Sequence, residues 1–424
     1  MLSHEENQLL CRVEGGAPAG ETMRRYWLPA LLSEEAETDG APIRLRLVGQ
    51  NLVAFRDTSG KLGIVDAACP HRLASLALGR NEEGGLRCIY HGWKFDVAGR
   101  CVEMPTEPAG YNFADRVRIG SYPVHETGGI AWTYLGAPEH QPEFPAMDWT
   151  QLPRERLCLI KFVQNSNYMQ ALEGGVDTAH TWFLHRGDIP DWQHRLSLTL
   201  DFSPRLETED TTYGFRYASI RRPSEDPEKK RYIRVTNVVY PTTVLVPRPL
   251  NDALKPAVQM FIPIDDDHTL HFTVFFSPDG KPIDERAIRE DFRCVPGVHI
   301  DEKTFALDTQ ESNWWKQDRA AMKAGSYTGI SGIPRQDVAC QESMGSLVDR
   351  SREHLGTSDV AIIRMRRRYL QNIRDVMSGK PAIGTEAGID YPHLRSEQRL
   401  IDVAAPWQSV GAFAGEYTML TSGG

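Results

Sequence analysis

Apolar and polar positions alternate along 43–55, the period-two pattern of half-buried strands, and Asp57-Thr58-Ser59-Gly60 then supplies a hairpin turn. A second turn of the same kind stands at Asp96-Val97-Ala98-Gly99. Short strands joined by tight turns predict a small β domain over 26–148, closed by a proline-spaced linker at 138–153. Before it, Ser3 and Glu6 ahead of Leu9-Leu10 form a capping box that predicts a short helix. After it, 161–173 reads as a helical segment, followed by strand patterns at 197–202, 213–220, 232–240, 258–264 and 270–276. Consecutive β patterns bracketed by helices predict an α+β layer, an antiparallel sheet with helices on one side. The charged, Gly- and Pro-containing stretch 281–357 reads as loops and short helices over the mouth of that sheet. In 359–377, Ile362, Met365, Tyr369, Ile373 and Val376 share one helical face, and Gly379 and Pro381 stop it. No internal repeat is evident.

At 424 residues the chain exceeds one hydrophobic core, so two domains are expected: 26–148, and 1–25 with 149–424. A net charge of −9 argues against nucleic acid, which calls for a basic footprint. No apolar run nears the roughly 20 residues that span a bilayer. The opening Met1-Leu2-Ser3-His4-Glu5-Glu6 has neither the basic nor the apolar part of a signal peptide, so the expectation is a cytoplasmic protein. Seven scattered cysteines suit a reducing compartment better than disulfides, with two as metal ligands. Cys101 stands near that pair, as a cluster neighbour or as a small buried hydrophobe.

The chemistry begins at Cys69-Pro70-His71 and Cys88-Ile89-Tyr90-His91. Two thiolates and two imidazoles on adjacent loop tips are the ligand set of a Rieske [2Fe-2S] centre, where two His replace two Cys on one iron. Tetrahedral zinc also accepts two Cys and two His. Iron-sulfur is favoured because Cys and His alternate within each pair, Pro70 stiffens the first loop and Gly92-Trp93 follows the second.

The second concentration of ligand types is Glu173-Gly174-Gly175-Val176-Asp177-Thr178-Ala179-His180, ending at His185. Glu173, Asp177 and His180 are spaced for one helical face, and a break near Phe183 would bring His185 to the same metal. Two His and one carboxylate leave open positions on Fe(II), the facial triad of non-haem oxygenases. A carboxylate at Asp177 can take the outer N–H of His180 and raise its basicity; a plain helix-surface acid is the alternative.

The run from Cys69 to Arg72, then from Cys88 to Asp96, resembles the signature of the Rieske non-haem iron ring-hydroxylating oxygenases. In the C-terminal half, Trp314-Trp315-Lys316-Gln317-Asp318 and Gln341-Glu342-Ser343-Met344-Gly345 resemble the phthalate dioxygenase branch, built from α subunits alone. The resemblance implies an all-β Rieske domain ahead of a helix-grip catalytic domain. It implies a [2Fe-2S] cluster on Cys69, His71, Cys88 and His91, and a mononuclear Fe(II) on His180, His185 and a distant acid. The family spacing, five residues before a Glu, gives Asp337 as that acid, with Asp308 and Asp318 as runners-up and Glu342 as the alternative within the motif. It further implies that Asp177 bridges to a cluster histidine of a neighbouring subunit in a trimer or stacked trimers, since within one chain the metals stand too far apart. An NAD(P)H-dependent flavin or iron-sulfur reductase, directly or through a ferredoxin, would supply electrons.

Members of that branch act on carboxylated aromatics, by dihydroxylation, monohydroxylation or O-demethylation as with dehydrodivanillate. A buried carboxylate calls for a fork of donors, so Arg216 and Arg234, inside strand patterns, are candidate substrate residues, with Arg248 next. Arg221 and Arg222, beside Pro223, read as solvated. Arg364, Arg366, Arg367 and Arg368 read as a solvated helix face or a subunit contact, with a docking patch for the electron donor as the alternative. A Rieske electron-transfer protein, the rival class, would need only the first 150 residues, and the His180/His185 pair argues against it.

Overall fold

The structure is a computed structural model, and it describes residues 2–108, 110–188, 199–247 and 256–411. Its N-terminal helix His4–Cys11 is opened by the reciprocal Ser3/Glu6 capping box that the sequence predicts. The first β layer is a four-stranded antiparallel sheet of Ile43–Leu47, Gln50–Arg56, Leu62–Asp66 and Ser121–Tyr122. The second runs through Arg80–Glu82, Gly85–Arg87, Lys94–Phe95 and Cys101–Glu103. Both tight turns form: Gly60 N–H donates to Asp57 C=O at 2.8 Å and Gly99 N–H to Asp96 C=O at 2.9 Å. These sheets enclose a core of their own, from Val53, Phe55 and Val65 to Trp93, Phe95 and Cys101. Cys101 is thus a buried small hydrophobe beneath the cysteine loops, as one of its two readings had it.

The catalytic sheet is antiparallel throughout. Its order is Leu157–Gln164, Thr269–Phe276, Ala257–Pro263, Thr243–Val246, Lys230–Val239, Gly214–Arg221 and Arg205–Thr211, and Glu397–Asp402 also pairs with the long strand Lys230–Val239. Several of these strands are buried on both faces, which hides the alternation that marks a half-exposed strand. That is why Leu157–Gln164 is a strand where a helical segment was expected from residue 161; the helix itself is Tyr168–Val176. Of the strand expected at 197–202, residues 197 and 198 lie outside the described residues, and Thr199 makes only a single bridge to Pro223.

Helix Tyr168–Val176 lies across the sheet, and the long helix Val360–Met377 buries the face expected of it, with Met365 and Ile373 almost fully enclosed. A three-stranded sheet of Trp27–Leu32, Ile130–Tyr134 and Val124–Thr127 shares the catalytic core rather than the cluster core. Lys161 on the first catalytic strand reaches back to Glu35 at 2.6 and 2.7 Å and fixes the two layers to each other.

Candidate metal centres

Two loops of matching geometry carry the Cys/His pairs. Leu73 N–H closes onto Cys69 C=O at 2.8 Å, and Gly92 N–H onto Cys88 C=O at 2.9 Å. Gly92 has φ +75°, and a Cβ there would meet the Pro105 ring at 2.7 Å, so this turn requires glycine. The thiols of Cys69 and Cys88 are buried side by side, and burial first, then Cys88, pushes the Cys69 thiol up to about 11. His71 and His91 lie farther out, their rings 4.3 Å apart, with His71 stacked on Trp93 at 4.6 Å. His71 Nδ1 is buried with no hydrogen-bond partner among the described residues, which suits a nitrogen that would bind a metal. Buried thiols beneath outward imidazoles fit a [2Fe-2S] cluster, which Cys69, Cys88, His71 and His91 would hold and which would supply storage and transfer of single electrons.

The second centre is built on helix Tyr168–Val176. Asn167 caps it, accepting from Met169 N–H, while its own amide donates to the carbonyls of Cys11 and Asp266. Gly174 and Gly175 let the helix approach closely: a Cβ at the first would meet Gln341 Nε2 at 2.1 Å and at the second the Phe261 ring at 2.7 Å. The helix ends earlier than the sequence spacing implied. Asp177 is already extended, and its Oδ1 takes Ala179 N–H at 2.7 Å, turning the chain into the single 3₁₀ turn His180–Trp182. Glu173, Asp177 and His180 therefore do not share one helical face, and Glu173 instead points to Arg350 and Arg366.

The turn brings His180 Nε2 to 3.1 Å from His185 Nε2, and Asp337, from helix Ile333–Glu342, places Oδ1 3.5 and 3.1 Å from them. All three ligand atoms fall within 4.8 Å of one another. Asp308, Asp318 and Glu342 go elsewhere: Asp308 pairs with Lys316 and Arg335, Asp318 caps the helix Arg319–Lys323, and Glu342 accepts from Trp315 Nε1 and Asn165 N–H. Burial would raise the Asp337 carboxyl, but His185 and His180 hold it below its ordinary value. Burial would likewise lower His180, yet the Asp177 hydrogen bond and the Asp337 charge leave it raised. Such a donor set suits Fe(II).

A cavity opens from this triad along the sheet. Arg234, Thr236, Gln259, Phe261, His271 and Tyr217 line its floor. The strand register separates the two candidate arginines, because Arg234 stands opposite Ser219 whereas Arg216 stands opposite Asn237, on the other face. Arg234 donates to the Pro247 carbonyl at 3.1 Å and has no carboxylate partner among the described residues. Arg216 is taken by Glu209 at 2.5 Å and by the carbonyls of Gln408 and Val410, over the Trp407 ring, so it is not brought to the cavity. Arg248 lies outside the described residues. Arg221, expected to be solvated, is buried against Trp182, while Arg222 is exposed on Asp201. Of the arginine run on the long helix, Arg366 is buried in the Glu173 and Glu353 ion pairs, which removes the solvated-face reading for it, whereas the partly exposed Arg364 and Arg368 pair with Asp210 at the surface and Arg367 is exposed.

Sequence reasoning missed two residues here. His271, pushed down to about 3 by burial, stays neutral at the cavity wall. Gln336, which receives His185 Nδ1, carries no motif signal beyond preceding Asp337.

The Rieske [2Fe-2S] domain family matches residues 26–123, and the family described as LigXa C-terminal domain like matches 133–421. The oxygenase subunit of phthalate 4,5-dioxygenase from Pseudomonas putida is 41% identical, over 97% of this chain and 95% of its own. That of 3-chlorobenzoate-3,4-dioxygenase from Comamonas testosteroni is 37% identical, over 96% and 98%. Among solved structures, the oxygenase in the reduced oxygenase-ferredoxin complex of carbazole 1,9a-dioxygenase superposes with a TM-score of 0.57 at 19% identity, over 89% of this chain and 98% of its own, which shows the fold.

Proposed function

Because the chain belongs to the Rieske non-haem iron oxygenases, in their phthalate dioxygenase-like branch, we propose that it is a terminal oxygenase acting on a carboxylated aromatic. Electrons come from an NAD(P)H-dependent reductase, directly or through a ferredoxin. The observation that carries the substrate reading is Arg234, a cation on the cavity floor without a carboxylate partner among the described residues. A guanidinium so placed would be costly unless an anion completes it, and its planar fork matches a carboxylate. Phthalate and 3-chlorobenzoate, in the relatives' names, are both aromatic carboxylates.

On this reading His180, His185 and Asp337 hold the mononuclear iron, which supplies the site where O2 is activated. Cys69, His71, Cys88 and His91 hold the cluster. Arg234 anchors the substrate carboxylate, and Phe261 packs against the ring to be oxidised. We divide the chain into a Rieske domain at 26–148 and a catalytic domain of 1–25 and 149–424. Among the described residues no helix is long and apolar enough to cross a membrane, and we place the protein in the cytoplasm.

The apolar surface left exposed supports a reading of the assembly. Leu73, Ile89, Tyr90, Tyr111 and Phe113 are exposed around the cluster loops. Phe183, Tyr327 and Met344 are exposed around a second pocket, on the outer side of Asp177 and His180. Two different apolar patches on one chain suit a heterologous head-to-tail contact that closes into a ring, a trimer or stacked trimers. There Asp177 would link His180 to a cluster histidine of the next subunit. The test is oxygen and NADH consumption with a reductase over a panel of aromatic acids and their uncharged amides. Consumption coupled to product with the acids only is expected; equal coupling with the amides would remove the carboxylate anchor.

A further inference from the structure

We infer that Gln336 is the positioning residue that fixes the tautomer of His185 and so makes its Nε2 a metal ligand. Gln336 is 1% exposed and His185 3% exposed, so water does not substitute for either partner. The orientation of the amide follows from what surrounds it. Its nitrogen lies 2.7 Å from the Ile330 carbonyl, which can only accept, 2.6 Å from the Asp188 carboxylate and 3.1 Å from Thr328 Oγ1. The nitrogen therefore faces those acceptors, and Oε1 is the atom 2.8 Å from His185 Nδ1. An amide oxygen can only accept, so Nδ1 carries the proton and donates it, and the lone pair is left on Nε2, 3.1 Å from Asp337 Oδ1.

The two histidines are thus backed differently. His180 Nδ1 faces the Asp177 carboxylate at 3.4 Å, on the side of the outer pocket. His185 Nδ1 faces a neutral amide sealed in the interior. A carboxylate raises the basicity of its imidazole, whereas an amide fixes geometry with less charge, so His185 is the positional member of the pair. Gln336 also ties together Asp188, just past His185, and the 328–330 loop, whose neighbour Gly332 donates its N–H to Asp188 at 3.3 Å. One side chain in the helix that supplies Asp337 thereby sets the distance between that carboxylate and His185.

This inference rests on His180, His185 and Asp337 being the metal ligands, and the test separates the two. The purified cluster-containing protein is stripped of mononuclear iron with a chelator and titrated with Co(II) by equilibrium dialysis. Proton NMR of the cobalt form reads the shifted, exchangeable imidazole N–H signals. Wild type is expected to bind one Co(II) and show two such signals, one from each histidine. In Gln336→Leu, one signal should exchange away and Co(II) affinity should fall about 10–100-fold, with the cluster spectrum unchanged. Gln336→Glu with Asp188 kept places a carboxyl against that carboxylate, where it holds a proton and donates it to Asp188 or the Ile330 carbonyl, so its other oxygen still accepts from His185 Nδ1; both signals should remain, with an affinity well above that of the leucine variant. Both signals and full affinity in Gln336→Leu would overturn the inference, as would a glutamate variant as weak as the leucine one. If the leucine variant does not fold, the glutamate variant decides alone. A wild-type protein that binds no Co(II) would instead overturn the ligand set.

Discussion

The Asp177 carboxylate lies 3.4 Å from His180 Nδ1 while also lining the outer pocket whose rim carries the exposed Phe183, Tyr327 and Met344. It therefore touches His180, the proposed iron ligand, on one side and faces the proposed subunit contact on the other. Asp177→Asn keeps the size and one acceptor oxygen but loses the charge. The variant is expected to keep its assembly, cluster and most of its iron, yet to lose turnover by at least about 10–100-fold. Stopped-flow reoxidation of the reduced cluster, after substrate and oxygen are added, reads the step directly. Wild-type reoxidation rates would contradict the route.

Asp337→Ala should strip the mononuclear iron, because two imidazoles alone hold Fe(II) weakly, and leave the cluster spectrum intact. Asp308→Ala should keep that iron, since Asp308 is occupied by Lys316 and Arg335. Iron counted per chain before and after chelation checks both.

For the substrate anchor, Arg234→Met should raise KM for an aromatic acid by an amount corresponding to about 2–5 kcal/mol, with iron content spared. Arg216→Met should leave KM unchanged and lower stability instead, since its partners are Glu209 and two backbone carbonyls on the opposite face. Steady-state kinetics with thermal denaturation of both variants separates the roles.

Glu173 is buried between Arg350 and Arg366, at 2.8 and 2.7 Å. Glu173→Gln leaves two guanidiniums short of a charge and should cost about 3–5 kcal/mol of stability. Burial works to raise the Glu173 carboxyl, but the two arginines outweigh it and hold the group below its ordinary value. Its stabilisation is accordingly full above the unfolded value of about 4.3 and is lost as pH falls through the lowered folded one. Denaturant melts of wild type and variant should converge on acidification.

The cluster loops were legible because ligand chemistry dictates residue type and spacing within a few positions, and the turns at Asp57 and Asp96 because a tight turn is local. The helix Val360–Met377 was legible because one face meets the core and the other does not. Asp337 came from resemblance, since nothing local marks a carboxylate that meets His185 only through the fold. The strand Leu157–Gln164 was misread because burial on both faces erases its period. Arg216 and Arg234 look alike in sequence; the register with Asn237 and Ser219 assigns them to opposite faces, and register is a property of the sheet. Arg366, similarly, is indistinguishable from its neighbours until Glu173 and Glu353 are found beside it.

The most direct test of the account is one turnover without any partner protein. The purified chain, with cluster and mononuclear iron reduced chemically and the reductant removed, is mixed with an aromatic acid under ¹⁸O-labelled O2, and the product is weighed by mass spectrometry. The account expects cluster reoxidation together with a product of that acid that carries labelled oxygen or has lost a methyl group from a ring ether. Reoxidation that leaves every carboxylated aromatic unchanged, or that proceeds equally well without one, would contradict it.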